Sequence, residues 1–143
     1  MKTVIERNGR IRAHHGTRLM EHTLLIVDDE PALRLLLNEF LKKEFNVITL
    51  NDGASCLQFV ERSIPEVIIL DLNMPDMNGL EVIKKLRSDR LFDRIALIVL
   101  SGAENSVDRI NCLEAGADDF VIKPFNPREL SARINAILRR INH

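Results

Sequence analysis

Between residues 23 and 123, short apolar runs alternate with longer stretches whose apolar positions recur every three or four residues. The runs are Leu24-Leu25-Ile26-Val27, Val47-Ile48-Thr49-Leu50, Val67-Ile68-Ile69-Leu70, Ile95 to Leu100, and Phe120-Val121-Ile122. Their unbroken apolar character fits strands covered on both faces. The first helix is predicted from Glu30 to Lys43, with Leu33, Leu36, Leu37, Phe40 and Leu41 at helical spacing and Pro31 in its first turn, where a missing N–H costs nothing. A second helix spans Gly53 to Arg62. A third is opened by Asn78 and turns Leu80, Val82, Ile83 and Leu86 inward. A fourth starts near Asn105-Ser106 and stops at Gly116. The last opens on a capping box, Asn126 with Pro127 next and Glu129 three residues on, and buries Leu130, Ile134, Ile137, Leu138 and Ile141. Strand–helix alternation with short loops implies a parallel sheet with right-handed crossovers and helices on both faces. The expected fold is a doubly wound (βα)5 α/β domain with a five-stranded parallel sheet in the order 2-1-3-4-5.

Two stretches break the pattern. In the helix after Ser101, Val107, Ile110 and Leu113 form only a thin apolar stripe among Glu104, Asp108, Arg109 and Glu114. A helix with so little to bury is held loosely and is able to shift when the site beneath it changes. Residues 1–22 are polar and without convincing periodicity, so a basic, mobile N-terminal arm is expected there, with the domain proper over 23–143. Lys2, Arg7, Arg10, Arg12 and Arg18 against Glu6 and Glu21 give the arm a net +3, whereas the whole 143-residue chain carries −1. The rest is therefore acidic, and no basic field recommends nucleic acid as a direct partner. Met20-Glu21-His22 would make a natural protein start, and the His14-His15 pair has no third ligand nearby.

The composition, 45% hydrophobic and 29% charged, is that of an ordinary globular domain, and the length suits one such domain. Cys56 and Cys112 lack metal or redox spacing and read as reduced, packed thiols. No apolar run approaches the roughly 18 residues of a membrane helix. No apolar segment marks a secretory signal, so the cytoplasm is the expected location.

Candidate chemistry lies where the runs end. The first run ends in Asp28-Asp29, the third in Asp71, the fourth in Ser101 and the fifth in Lys123-Pro124. In a parallel sheet the carboxyl ends of the strands line one crevice, so these groups converge. Three carboxylates together raise one another's pKa, and a divalent cation relieves the repulsion. All-oxygen ligation favours Mg2+, with Asp29, Asp71 and the backbone carbonyl of Asn73 as direct ligands and Asp28 acting through water. Asp28-Asp29 as a simple helix cap is the plainer reading, and it leaves the other convergent groups unexplained. A cation, an ammonium and a hydroxyl around one carboxylate suit a phosphoryl group, with Asp71 as nucleophile. No GxxxxGK[ST] or GxGxxG loop is present, so the donor is expected to be a phosphorylated protein or a small acyl phosphate.

From residue 23 to about 140, these residues resemble the receiver domain of two-component response regulators. The matching pieces are Val27-Asp28-Asp29-Glu30, Leu70-Asp71 with Met74-Pro75-Asp76-Met77-Asn78-Gly79, Ser101, and Gly116-Ala117-Asp118-Asp119-Phe120 leading to Lys123-Pro124-Phe125. The resemblance implies a flavodoxin-like three-layer sandwich and phosphotransfer to Asp71 from a sensor histidine kinase or a histidine phosphotransfer protein. Lys123 and Ser101 would contact the phosphoryl group. Ser101 would move toward it, Phe120 would rotate into the space vacated, and Lys123–Pro124 would be cis. Such a protein is a switch that gains and loses its own phosphoryl group, and not a turnover enzyme. Ser101 and Phe120 stand where Thr and Tyr are more frequent in the family. Ala103 is small, so water is expected to reach the phosphoryl group readily.

The C-terminal third resembles the receivers of winged-helix transcription factors, which pair through their fourth helix, fifth strand and fifth helix. On that resemblance Arg109 pairs with Glu129, Asp119 with Arg133, and Asp118 with Arg140 across a phosphorylation-favoured homodimer. DNA contact would come only through a separate output domain, and no membrane contact is expected. Two other readings compete. A silent pseudo-receiver would have lost an Asp or the Lys, and none is lost here. A phosphohydrolase of the haloacid dehalogenase kind would place a DxD motif on the first strand, whereas here the acidic pair comes first and Asp71-Leu72-Asn73 is not DxD.

Overall fold

In the computed structural model, residues 22–102 and 106–141 are described in full, together with the backbone of Thr3–Ile5 and Ile11–Ala13. Those two short segments, β1 and β2, pair antiparallel with Ile5 opposite Ile11, a hairpin that the sequence pattern did not predict. The remaining residues up to 21, with the His14-His15 pair and Met20, lie outside the described residues, as do Ala103, Glu104 and Asn105.

The main sheet contains β3 (Thr23–Val27), β4 (Asn46–Leu50), β5 (Val67–Asp71), β6 (Ala96–Ser101) and β7 (Asp119–Ile122). All pairings are parallel and the order is β4-β3-β5-β6-β7. Counting these five strands alone, that is the expected 2-1-3-4-5. Alternation along each strand divides the core in two. Leu25, Val27, Ile68, Leu70, Leu97 and Val99 face α2 (Gly53–Arg62), α3 (Gly79–Arg87) and α4 (Ser106–Ala115). Leu24, Ile26, Val67, Ile69, Ala96 and Ile98 face α1 (Pro31–Leu41) and α5 (Pro127–Ile141). Cys56 and Cys112 are free and buried, and burial pushes the Cys56 thiol up to about 12, so it stays protonated and inert.

Helix ends follow the sequence chemistry with one exchange. Asn78 and Glu81 form the full reciprocal capping box, at 2.9 and 3.2 Å, whereas Asn126 accepts from the Arg128 N–H at 2.9 Å. Two stripes differ from expectation. Leu36 is exposed, because α1 turns Leu37 and Leu41 fully inward and Leu36 falls at the edge of that face. Val107, Ile110 and Leu113 are also exposed, and within α4 only Cys112 is buried. At roughly 1.5–3 kcal/mol for each buried aliphatic side chain, α4 is held by far less than α5, which buries Leu130, Ile134, Ile137 and Leu138.

What α4 lacks in burial is offset at its C-terminal end. Gly116 adopts φ +121, and a Cβ there would meet Arg87 Cγ at 2.6 Å. The Arg87 guanidinium, at the end of α3, donates to the carbonyls of Gly116 (3.0 Å), Phe92 (2.8 Å) and Ile95 (2.8 Å), and to Asp118 Oδ2 (3.2 Å). Asp118 Oδ2 also accepts from the Leu97 N–H at 2.8 Å. One side chain thus ties α3, the 3-10 turn Arg90–Phe92, the entry to β6 and the α4–β7 turn together.

Candidate functional site

The order β4-β3-β5-β6-β7 places the ends of β3 and β5 side by side, with Val27 opposite Leu70, so Asp28 and Asp71 follow directly into one crevice. Asp28 and Asp71 are 1% and 5% exposed, and Ser101 is fully buried. Carboxylate oxygens of Asp28, Asp29 and Asp71 lie within 4.8 Å of one another, with Asp29 on the open side. From the end of β7, Lys123 Nζ reaches Asp71 Oδ1 at 3.2 Å and Asp28 Oδ2 at 3.5 Å. The Lys123–Pro124 peptide is cis. The Lys123 N–H donates to the Ser101 carbonyl at 2.7 Å, which fixes the start of that lysine's side chain against β6.

Electrostatics follow from burial. Burial raises the pKa of Asp71 above the ordinary carboxylate value, and the Asp28 charge raises it further. The Lys123 ammonium and the Asn73 N–H oppose this without cancelling it. For Lys123, partial burial disfavours the ammonium, but Asp71 and Asp28 outweigh it and the pKa is raised. Lys123 is therefore a permanent cation facing a carboxylate that is costly to ionise.

The turn after Asp71 is shaped by close approach. The Gly79 N–H donates to the Leu72 carbonyl at 2.8 Å, and a Cβ on Gly79 would meet the Asp71 carbonyl oxygen at 2.7 Å. Asp76 takes a left-handed conformation, φ 69, which Asp tolerates better than most residues. Asn73 lies two residues past Asp71 and is exposed. Phe120, opposite Val99, has its ring buried in the core with Cys112 and Ala117.

The residues assigned to pairing between copies are less uniform. Arg109, Glu129 and Arg140 are exposed. Arg133 bonds Asp119 within the chain, at 3.0 and 3.3 Å, with Glu129 3.9 Å away. Asp118 is exposed, and its Oδ2 accepts from Arg87 on α3 at 3.2 Å and from the Leu97 N–H at 2.8 Å. Sequence reasoning gave Gly79 no role beyond the family match, and missed Arg87 and Arg34, whose Nη1 donates to the Asp28 carbonyl at 2.6 Å.

The response regulator receiver domain family matches residues 24–135 of the chain. The chain belongs to that family. This receiver domain is 40% identical over 122 residues to the alkaline phosphatase synthesis transcriptional regulatory protein PhoP of Bacillus subtilis, covering 85% of the chain and 50% of PhoP. It is also 40% identical over 122 residues to the DNA-binding response regulator MtrA of Mycolicibacterium smegmatis, covering 85% and 52%. The chain thus spans about half the length of these curated relatives. Among solved structures, a BeF3-activated DrrB receiver domain matches with a TM-score of 0.76 at 30% identity, covering 84% of this chain and 99% of that one. The chemotaxis response regulator CheY4 of Vibrio cholerae matches with a TM-score of 0.76 at 27% identity, covering 81% and 98%. The receiver domain is a signalling switch of the two-component type, and membership replaces the dehalogenase-type alternative. Receiver domains bind Mg2+ in their acidic pocket, and three clustered carboxylates with oxygen donors fit such an ion.

Proposed function

We propose that Asp71 is the phosphoryl acceptor of this switch, taking the group from a phosphohistidine of a sensor histidine kinase or histidine phosphotransfer protein. The observation that carries the reading is the buried Asp71 carboxylate facing the Lys123 ammonium at 3.2 Å beside the Asp28-Asp29 pair. A carboxylate oxygen of Asp71 attacks phosphorus as the P–N bond to histidine breaks, leaving an acyl phosphate on Asp71 and the electron pair on the imidazole. Asp29, Asp71 and the Asn73 carbonyl would hold the Mg2+ directly, with Asp28 acting through water. The ion would neutralise phosphoryl charge. Lys123 would pair with one phosphoryl oxygen, and the Ser101 hydroxyl would donate to another. The raised pKa of Asp71 makes its carboxylate a more basic nucleophile than an ordinary aspartate.

Ser101 and Phe120 form the switch in this reading, and α4, β7 and α5 form the face that responds. Support for that face comes from the exposed stripe of Val107, Ile110 and Leu113, with Arg109, Glu129, Asp118, Asp119, Arg133 and Arg140 as its charged residues. Residues 23–143 constitute the switch unit, residues 1–22 an accessory arm, and DNA contact belongs to a separate output domain. Among the described residues no helix is long and apolar enough to cross a membrane. The test is intact-mass measurement after incubation with Mg2+ and acetyl phosphate. Wild type gains one hydroxylamine-labile phosphoryl group and Asp71→Asn gains none; equal gain in both would refute the assignment.

A further inference from the structure

Asp28 is the most deeply buried of the three clustered carboxylates, yet the loop that carries it lacks regular structure. It follows β3 and precedes α1, whose N-cap residue, Glu30, makes no side-chain cap bond. Four bonds hold Asp28 in place. Its N–H donates to the Leu50 carbonyl at 3.1 Å, its Oδ1 accepts from the Glu30 N–H at 2.8 Å, and its Oδ2 faces Lys123 Nζ at 3.5 Å. The fourth is Arg34, one turn into α1, whose Nη1 donates back across the loop to the Asp28 carbonyl at 2.6 Å. That bond is charge-assisted, part-buried, and the shortest of the four.

We propose that Arg34 is a positioning residue for the cation site, a strut that fixes the Asp28-Asp29 peptide so that both carboxylates face Asp71. Arg34 bonds a backbone oxygen and not a carboxylate, so its role is to hold geometry rather than to neutralise charge. The two roles predict opposite signs. A guanidinium near three carboxylates disfavours a divalent cation by plain Coulomb repulsion, so removing its charge alone would tighten Mg2+ binding. Removing a strut lets the acidic loop relax toward solvent, where its like charges separate, and loosens Mg2+ binding.

The inference rests on reading Asp28, Asp29 and Asp71 as the Mg2+ site, and the experiment separates the two claims. Mg2+ is titrated by calorimetry into wild type, Arg34→Gln, Arg34→Lys and Asp29→Asn, with circular dichroism confirming that each is folded. Arg34→Gln is expected to weaken Mg2+ binding about tenfold, the low end of what supporting contacts to metal ligands supply. Arg34→Lys should recover part of that loss. With acetyl phosphate as donor, Arg34→Gln should raise the Mg2+ concentration giving half the maximal rate and leave the rate at saturating Mg2+ close to wild type. Equal or tighter Mg2+ binding by Arg34→Gln overturns the strut. Unchanged binding by Asp29→Asn overturns the site reading and the strut with it.

Discussion

In the proposed phosphotransfer Asp71 reacts as a carboxylate, in a place where ionisation is opposed by burial and by Asp28. The sign of the consequence is fixed. A carboxyl whose folded pKa lies above its unfolded value, about 3.9, destabilises the fold once the pH exceeds both, and the penalty vanishes below the unfolded value. Asp71→Asn should therefore raise the melting temperature at neutral pH without Mg2+, with the gain shrinking as the pH falls through the carboxylate range. Added Mg2+ should narrow the difference from the other side, by stabilising wild type more than the variant. Thermal melts at pH 7 and near pH 3.5, with and without Mg2+, check this; a variant less stable than wild type at pH 7 without Mg2+ counts against it. Asp28, Asp71, Ser101 and Lys123 were all legible in the sequence, because each ends an apolar run and a parallel sheet sends every run to the same edge. Arg34 and Arg87 were not legible. Each is one arginine among many on a helix, and only its contact, not its spacing, sets it apart.

At the scale of the element, α3 links the site to the far side of the sheet. Its first residue, Gly79, touches the Asp71 backbone, and its last, Arg87, holds the α4–β7 turn. Gly79→Ala forces a Cβ to 2.7 Å from the Asp71 carbonyl oxygen, and a cost of about 1–3 kcal/mol is expected in urea unfolding, with slower phosphorylation. Arg87→Ala strips four carbonyls and Asp118 of a donor and should cost about 2 kcal/mol or more. Asp118→Ala combined with it should cost less than the sum of the single changes, since both act at one node. Additive losses would show that the bonds of Arg87 to the carbonyls and its bond to Asp118 act independently. Helix periodicity located the five α-helices and the weak burial of α4, missed the 3-10 turn Arg90–Phe92, and turned Leu36 inward where it is exposed. Leu36 lies at the edge of its stripe, and in α4 the thin stripe of Val107, Ile110 and Leu113 faces solvent while Cys112 packs inward. The β1–β2 hairpin had an available signal, Asn8-Gly9 between Val4-Ile5 and Ile11, which is a common hairpin-turn dipeptide.

For the whole molecule, the proposed pairing face joins the exposed stripe of α4, on one side of the sheet, to the charges of α5, on the other, around the edge strand β7. If that face pairs symmetrically when Asp71 is phosphorylated, sedimentation should show a monomer without BeF3 and a dimer with BeF3 and Mg2+. Ile110→Glu should then stay monomeric while still accepting a phosphoryl group, whereas a wild type that is monomeric in both states would count against the face. Asp118 and Asp119 each bond an arginine within the chain, Arg87 and Arg133, so pairing to a second copy would have to share or replace those bonds. By itself the sequence determined the strand and helix order, the parallel sheet and the five polar residues at its carboxyl edge, Asp28, Asp29, Asp71, Ser101 and Lys123. Those are consequences of periodicity and of the alternation of elements, which act along the chain. Only the tertiary structure decided which way α4 and α1 turn, that Asp118 bonds Arg87 within the chain, and that Arg34 braces the acidic loop. Such facts depend on how far one side chain reaches between elements distant in sequence, and no local pattern encodes that distance.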